Sequence, residues 1–244
     1  ETGLTTMVAH EFRFAPARAY VKALLEEGYI GDLQNASMSM FMRGGPPGGR
    51  GPGLDWRQFY EYGGGQLGGL GSHYIDCLRD WFGEIKSITG GVFENGDLVS
   101  NSEDKADDAF GVLALFNGGG WASIAANFSA PLGSRVRIEI NGSKGSLSTP
   151  HHGVNPPLDG IVLGAQFEKS DEVNKLEIPG NFLLPSDDRD ARIPMFRVLA
   201  RKFREGIENG TSPHPNFVDG YQGQKIIDSI KEIESNARWS DIGS

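Results

Sequence analysis

The sequence predicts an α+β fold: a single open, antiparallel sheet with helices on one of its faces. Three observations carry this. Short β-type runs follow one another through the middle of the chain, the turn signals Asn117-Gly118 and Asn141-Gly142 separate them, and helical patterns lie towards the two ends. With 244 residues the chain can bury one substantial core, so 1–244 reads as one domain.

Taken in order, 5–9 reads as an extended strand, and Ala15-Pro16 then opens a helix. Ala19, Val21, Leu24 and Leu25 form its apolar face and Gly28 its C-terminal cap. Gly31-Asp32 makes a turn into a strand over 33–42. Residues 44–53 are almost wholly Gly, Pro and Arg, a composition that suits a surface loop. A glycine cluster follows, then a helix over 67–82 and strands over 85–94, 108–116, 121–128 and 136–141. The stretch 151–185 reads as irregular, with strands at 160–163 and 175–178. Helices over 190–208 and 217–236 close the chain. An open sheet of this size needs cover on its second face, and a second copy of the chain is the expected cover, giving a homodimer.

Bulk composition excludes several classes. A net charge of −9 argues against a nucleic-acid partner, and the cationic stretch Arg197 to Arg204 reads as a solvated helix face. No apolar run approaches a membrane span, and no signal or transit peptide is visible, so the expected home is the cytoplasm. Cys77 is the only cysteine, which rules out an intrachain disulfide and a thiolate zinc site. His151-His152, in a Pro/Gly-bounded stretch, has poor metal spacing and reads as surface; no metal site is expected. The chain opens on Glu1-Thr2-Gly3 rather than on Met, as though starting in the middle of a longer protein.

The densest signal is Gly63-Gly64-Gly65-Gln66-Leu67-Gly68-Gly69-Leu70-Gly71-Ser72-His73. It contains G-x-G-x-x-G in form, but the dinucleotide fingerprint needs a buried strand immediately before it, and Asp55-Trp56-Arg57-Gln58-Phe59-Tyr60-Glu61-Tyr62 is none. The glycines instead let a loop enter a helix with its backbone close to neighbouring groups. At 100° per residue Leu70, Tyr74, Cys77 and Trp81 form the core stripe of that helix, and His73, Asp76 and Asp80 lie along its edge. His73 therefore half-faces a glycine-lined space, where an imidazole can exchange a proton with a substrate hydroxyl. The plain alternative is a core-edge histidine bonded to backbone.

Several segments follow one another in order: His10-Glu11-Phe12-Arg13-Phe14-x-Pro16 with Leu24 to Gly31, then Gly63-Gly64-Gly65 through Gly71-Ser72-His73 to Asp76, then Trp81-x-Gly83-Glu84-Ile85, Asp107-Asp108, Ile138 to Gly145, and Pro215-x-Phe217-x-Asp219-Gly220. Together they resemble the C-terminal domain of the glucose–fructose oxidoreductase/inositol dehydrogenase (Gfo/Idh/MocA) family. Each is weak singly; together they span nearly the full chain. The resemblance implies a large, mostly antiparallel sheet that often dimerises, joined in the whole protein to an N-terminal Rossmann domain. That domain is expected to be absent from this chain and to bind most of the NAD or NADP. The implied substrate is a sugar or cyclitol hydroxyl. His73 matches the family histidine that works beside a lysine of a Glu-Lys-Pro motif in the other domain, as proton acceptor while hydride leaves the same carbon. Many relatives carry an aspartate four residues before that histidine; here it is Gly69.

The substrate-binding candidates are His10, Arg13, Trp56, Arg57 and Asp76. Arg13 suits a substrate carboxylate or polyol, or equally a neighbouring carboxylate of the protein. His10 points away from Phe12 if its segment is extended. Trp56, with Arg57 before the glycine cluster, either stacks on a sugar ring or anchors a loop. Asp76 lies one turn beyond His73. Two other functions remain open on this fold: a glycosidase or eliminase that retains NAD, and a non-catalytic dimer or sensor module.

Overall fold

The computed structural model describes residues 2–43, 59–99, 106–133, 135–168 and 170–236. The proposed loop at 44–53, Trp56 and Arg57 lie outside them. Nine strands form one sheet: β1 Leu33–Phe41, β2 Ile85–Glu94, β3 Asp97–Leu98, β4 Ala109–Phe116, β5 Trp121–Asn127, β6 Arg135–Gly142, β7 Gly145–His152, β8 Val162–Gln166 and β9 Ser170–Leu176. Their order across the sheet is β3-β2-β4-β5-β1-β6-β7-β8-β9. Neighbours pair antiparallel except at the centre, where β1 runs parallel to β5 with Met38 opposite Ile124. The sheet is thus mostly antiparallel, as the resemblance implies, with the one parallel pairing made by β1, which is inserted from a distant part of the sequence.

Alternation decides which side of the sheet is the core. Ala36, Met38 and Met40 of β1, Ala122 and Ile124 of β5, and Val136, Ile138 and Ile140 of β6 all point inwards and are buried. They meet α1 Pro16–Glu26, α2 Ser72–Phe82 and α4 Phe217–Asn236. α3 Ile193–Asn209 packs farther out, against the 3-10 turn Glu11–Phe14. The opposite face of the sheet presents Leu113, Leu115 and Trp121 to solvent.

α1 starts where Ala15 is extended and Pro16, which has no amide hydrogen to satisfy, takes the first helical position. α2 begins differently from expectation. Leu67–Gly71 is a turn of π-helix, continuous with the α-helix from Ser72. Within that turn Leu67 is fully buried, while Leu70, expected in the core stripe, packs against the core only in part and also lines a cavity. Tyr74, Cys77 and Trp81 hold the core positions assigned to them.

Four further expectations are corrected. Residues 5–9 are not a strand; the backbone amides of Thr6 and Val8 donate to Ser212 Oγ and Pro215 O, so the segment is tied to the approach to α4 and not to the sheet. Asn141-Gly142 stays inside β6, and the turn falls on Ser143 and Lys144. A Cβ at residue 142 would strike the Ile30 carbonyl oxygen, and the amides of Ser143 and Lys144 donate to Asp32 O and Ile30 O. The region after 142 is more regular than expected, with β7 through His152 and with β8 and β9 displaced from 160–163 and 175–178. Within β7, inward alternation buries Leu147, Thr149 and His151, so His151 is an interior residue and not a surface one.

Candidate active site

The glycine cluster is preceded by a 3-10 turn, Tyr60–Tyr62, and not by a buried strand, so it lacks the setting a dinucleotide cradle requires. It forms one wall of a cavity of about 490 Å³, through Gly63, Gly65 and Gly69. Asp107 holds that wall against the sheet: its Oδ2 accepts from the backbone amides of Gln66 and Leu67 at 2.9 and 2.8 Å. Gly65 has φ +102°, and a Cβ there would collide with Asp107 Oδ1. Only glycine fits both the backbone angle and the contact.

His73 lines the same cavity, together with Leu70, Glu11, Asn155 and Arg192. Its ring stacks on Phe12, with centroids 4.1 Å apart and planes 26° from parallel, and the His10 ring stands edge-on at 5.1 Å. His73 Nδ1 is buried and, among the described residues, meets no protein partner, so that nitrogen makes no bond to backbone. Burial above all, with His10 and Arg18 acting in the same sense and Asp76 against them, lowers the His73 pKa to about 4. At neutral pH the imidazole is uncharged and can accept a proton.

Arg13 and Asp76 face each other below this wall. The guanidinium donates to both Asp76 oxygens, at 2.9 and 2.6 Å, and to Asp80 Oδ1 at 2.9 Å, where Lys22 also donates. Of the two readings of Arg13, the structure thus shows the bond to a neighbouring carboxylate. His10 Nδ1 sits 3.1 Å from Asp76 Oδ1, off the line of a straight hydrogen bond. Burial by itself would raise Asp76; the contacts from His10 and Arg13 outweigh it and hold the carboxyl below its ordinary range. His10 is reached through the bend before the 3-10 turn and not on an extended strand. So the structure brings His73, His10, Asp76 and Arg13 together in one chain of contacts, with His73 alone of the four on the cavity wall.

Sequence reasoning missed three neighbours. Arg192 and Asn155 reach the cavity from segments more than 80 residues away from His73, and no local pattern marks them. Arg18 is 1% exposed, and here a signal existed: it stands three residues before Val21 on the apolar stripe of α1, where a charge is out of place.

Residues 19–148 match the family model for the GFO/IDH/MocA C-terminal domain, and the chain belongs to that family. Among its relatives, an uncharacterized oxidoreductase of Synechocystis is 27% identical over 238 residues, covering 94% of this chain and 63% of that protein. Levoglucosan dehydrogenase of Pseudarthrobacter phenanthrenivorans is 23% identical over 270 residues, covering 99% of this chain and 68% of that protein. A structure of levoglucosan dehydrogenase in complex with NADH and levoglucosan shares the fold, with a TM-score of 0.77 at 22% identity over 99% of this chain and 67% of that one. The chain spans about two thirds of the length of these relatives. Among the described residues no helix is long and apolar enough to cross a membrane.

Proposed function

We propose that this chain is the substrate-side domain of an NAD- or NADP-dependent oxidoreductase acting on a CH–OH group of a sugar, sugar derivative or cyclitol, with His73 as proton acceptor. One observation carries the reading: an uncharged imidazole, without a protein partner at Nδ1, on the wall of a cavity that glycine backbone also lines. Sugar and NADH in the levoglucosan dehydrogenase complex support the substrate and cofactor classes.

The cavity fits the pairing of a flat ring with a hydroxyl-bearing ligand, because Gly63, Gly65 and Gly69 put no side chain in the way. When bound, a nicotinamide supplies the acceptor for the hydride. This chain's residues do the rest. His73 takes the hydroxyl proton, Phe12 fixes the plane of the imidazole, and Glu11, Asn155 and Arg192 offer polar contacts around the ligand. Arg13 and Asp76, engaged with each other, act as positioning residues, and His10 links them to His73. Trp56 and Arg57 remain candidates for the same ligand.

The test is turnover of a sugar and cyclitol panel with NAD and NADP by the full-length protein and its His73→Ala variant. A loss of about 100-fold or more is expected; unchanged turnover on the best substrate overturns the assignment. Glycoside cleavage without accumulation of reduced cofactor would move the reaction to the NAD-retaining class, and binding without turnover to the sensor class.

A further inference from the structure

The interior holds a cation with no counter-ion. Among the described residues no carboxylate pairs with Arg18, although its guanidinium is buried beneath α2. Nη1 donates to Cys77 Sγ at 3.4 Å, while Nε and Nη2 meet no protein acceptor. The group is held by aromatic faces: its central carbon lies 4.5 Å from the Tyr74 ring centre and 5.3 Å from that of Phe12. Phe12 is also the ring on which His73 stacks. Burying an unpaired charge is costly, and an apolar residue of similar volume in its place is often neutral or stabilising. Packing alone therefore does not account for an arginine at this position.

We propose that Arg18 is a positioning residue for His73: an unpaired interior cation, set on the same aromatic ring as the imidazole, that makes the imidazolium unfavourable and so weakens the hold of His73 on the proton it takes. A second positive charge formed on His73 would repel the guanidinium across a region with little water to screen it, and would compete with it for the Phe12 ring. The other charged or titratable groups near His73 are His10 beside its ring, Asp76 on its own helix, and Glu11 and Arg192, which line the same cavity. Asp76 works in the opposite sense, but its charge is already shared with Arg13. His151 feels the same guanidinium from the β7 side.

This role rests on the reading of His73 as proton acceptor, yet its test needs no turnover. The chain labelled at histidine is titrated by NMR as wild type, Arg18→Met and Arg18→Lys. In Arg18→Met the His73 midpoint is expected to rise by about half to one pH unit, with His151 moving the same way; in Arg18→Lys both stay near the wild-type positions. A folded Arg18→Met protein whose His73 midpoint equals the wild type overturns the proposal, as does a Lys variant that shifts as far as the Met variant. If Arg18→Met does not give a native spectrum, Arg18→Gln carries the same comparison with the same outcomes. A purely structural arginine would change the melting temperature and leave the titration alone. Should His73→Ala keep full turnover while these shifts appear, the functional reading of His73 falls and the electrostatic coupling stands.

Discussion

Asp107 is buried with one carboxylate oxygen accepting from the amides of Gln66 and Leu67 and the other unpartnered. Burial raises its pKa to about 6, against the opposing pull of the Leu67 amide and of Lys231. The folded state therefore holds this proton to a higher pH than the unfolded chain does. Between about pH 4 and pH 6 the native protein binds more protons at this site, so its contribution to stability falls as pH rises through that window. His73 and His151 work in the opposite direction. Both are lowered to about 4, chiefly by burial, so the unfolded chain binds more protons between about 4 and 6.5 and stability falls as pH drops through that range. Asp107→Asn is expected to remove the first contribution and leave the second. Melting temperature followed from pH 4 to 7 in both proteins checks this: the variant should gain on the wild type as pH rises, and a constant difference would contradict it.

The element that carries the site is the glycine turn leading through the π-helical turn into α2. Its weakest tolerance is at Gly65, where φ +102° and the contact with Asp107 exclude a Cβ. Gly65→Ala is expected to cost about 1–3 kcal/mol. At Gly68 the nearest obstacle to a Cβ is the Gly63 carbonyl oxygen at 3.7 Å, an ordinary contact, so Gly68→Ala should leave stability within about 0.5 kcal/mol. Thermal and denaturant melts of the two variants test the pair. What could be read of these elements beforehand follows their chemistry. β2, β4, β5 and β6 are rich in β-branched and aromatic residues that alternate in and out, and their positions were legible within a residue or so. β7 was not, because Gly145-Ser146-Leu147-Ser148-Thr149-Pro150 offers one large apolar side chain, and its burial comes from pairing with β6. His73 was legible from helical phase even though Leu70 packs against the core only in part, since both stay on the side facing the glycines. Arg18 and Arg192 become neighbours of His73 only through tertiary packing, which a local pattern does not encode.

At the scale of the whole molecule, helices cover one sheet face, and among the described residues none covers the other. Leu113 and Leu115, each about half exposed, stand beside Trp121 on the uncovered side. We infer that a second copy of the chain covers this face, as an isologous contact. Trp121→Glu is expected to convert a dimer to a monomer in sedimentation velocity without changing the far-ultraviolet circular dichroism spectrum; an unchanged sedimentation coefficient would place any association elsewhere. The centre of the same sheet has a further consequence. β1 is flanked by β5 and β6, whose residues come about eighty or more positions later in the chain. On the ribosome, at roughly 5–20 residues per second, β1 must wait for several seconds with both hydrogen-bonding edges open before either neighbour has been made. Its Met-rich inward stripe is exposed throughout that wait, so the demand for a holding chaperone should rise when β1 emerges and fall when residue 142 clears the exit tunnel.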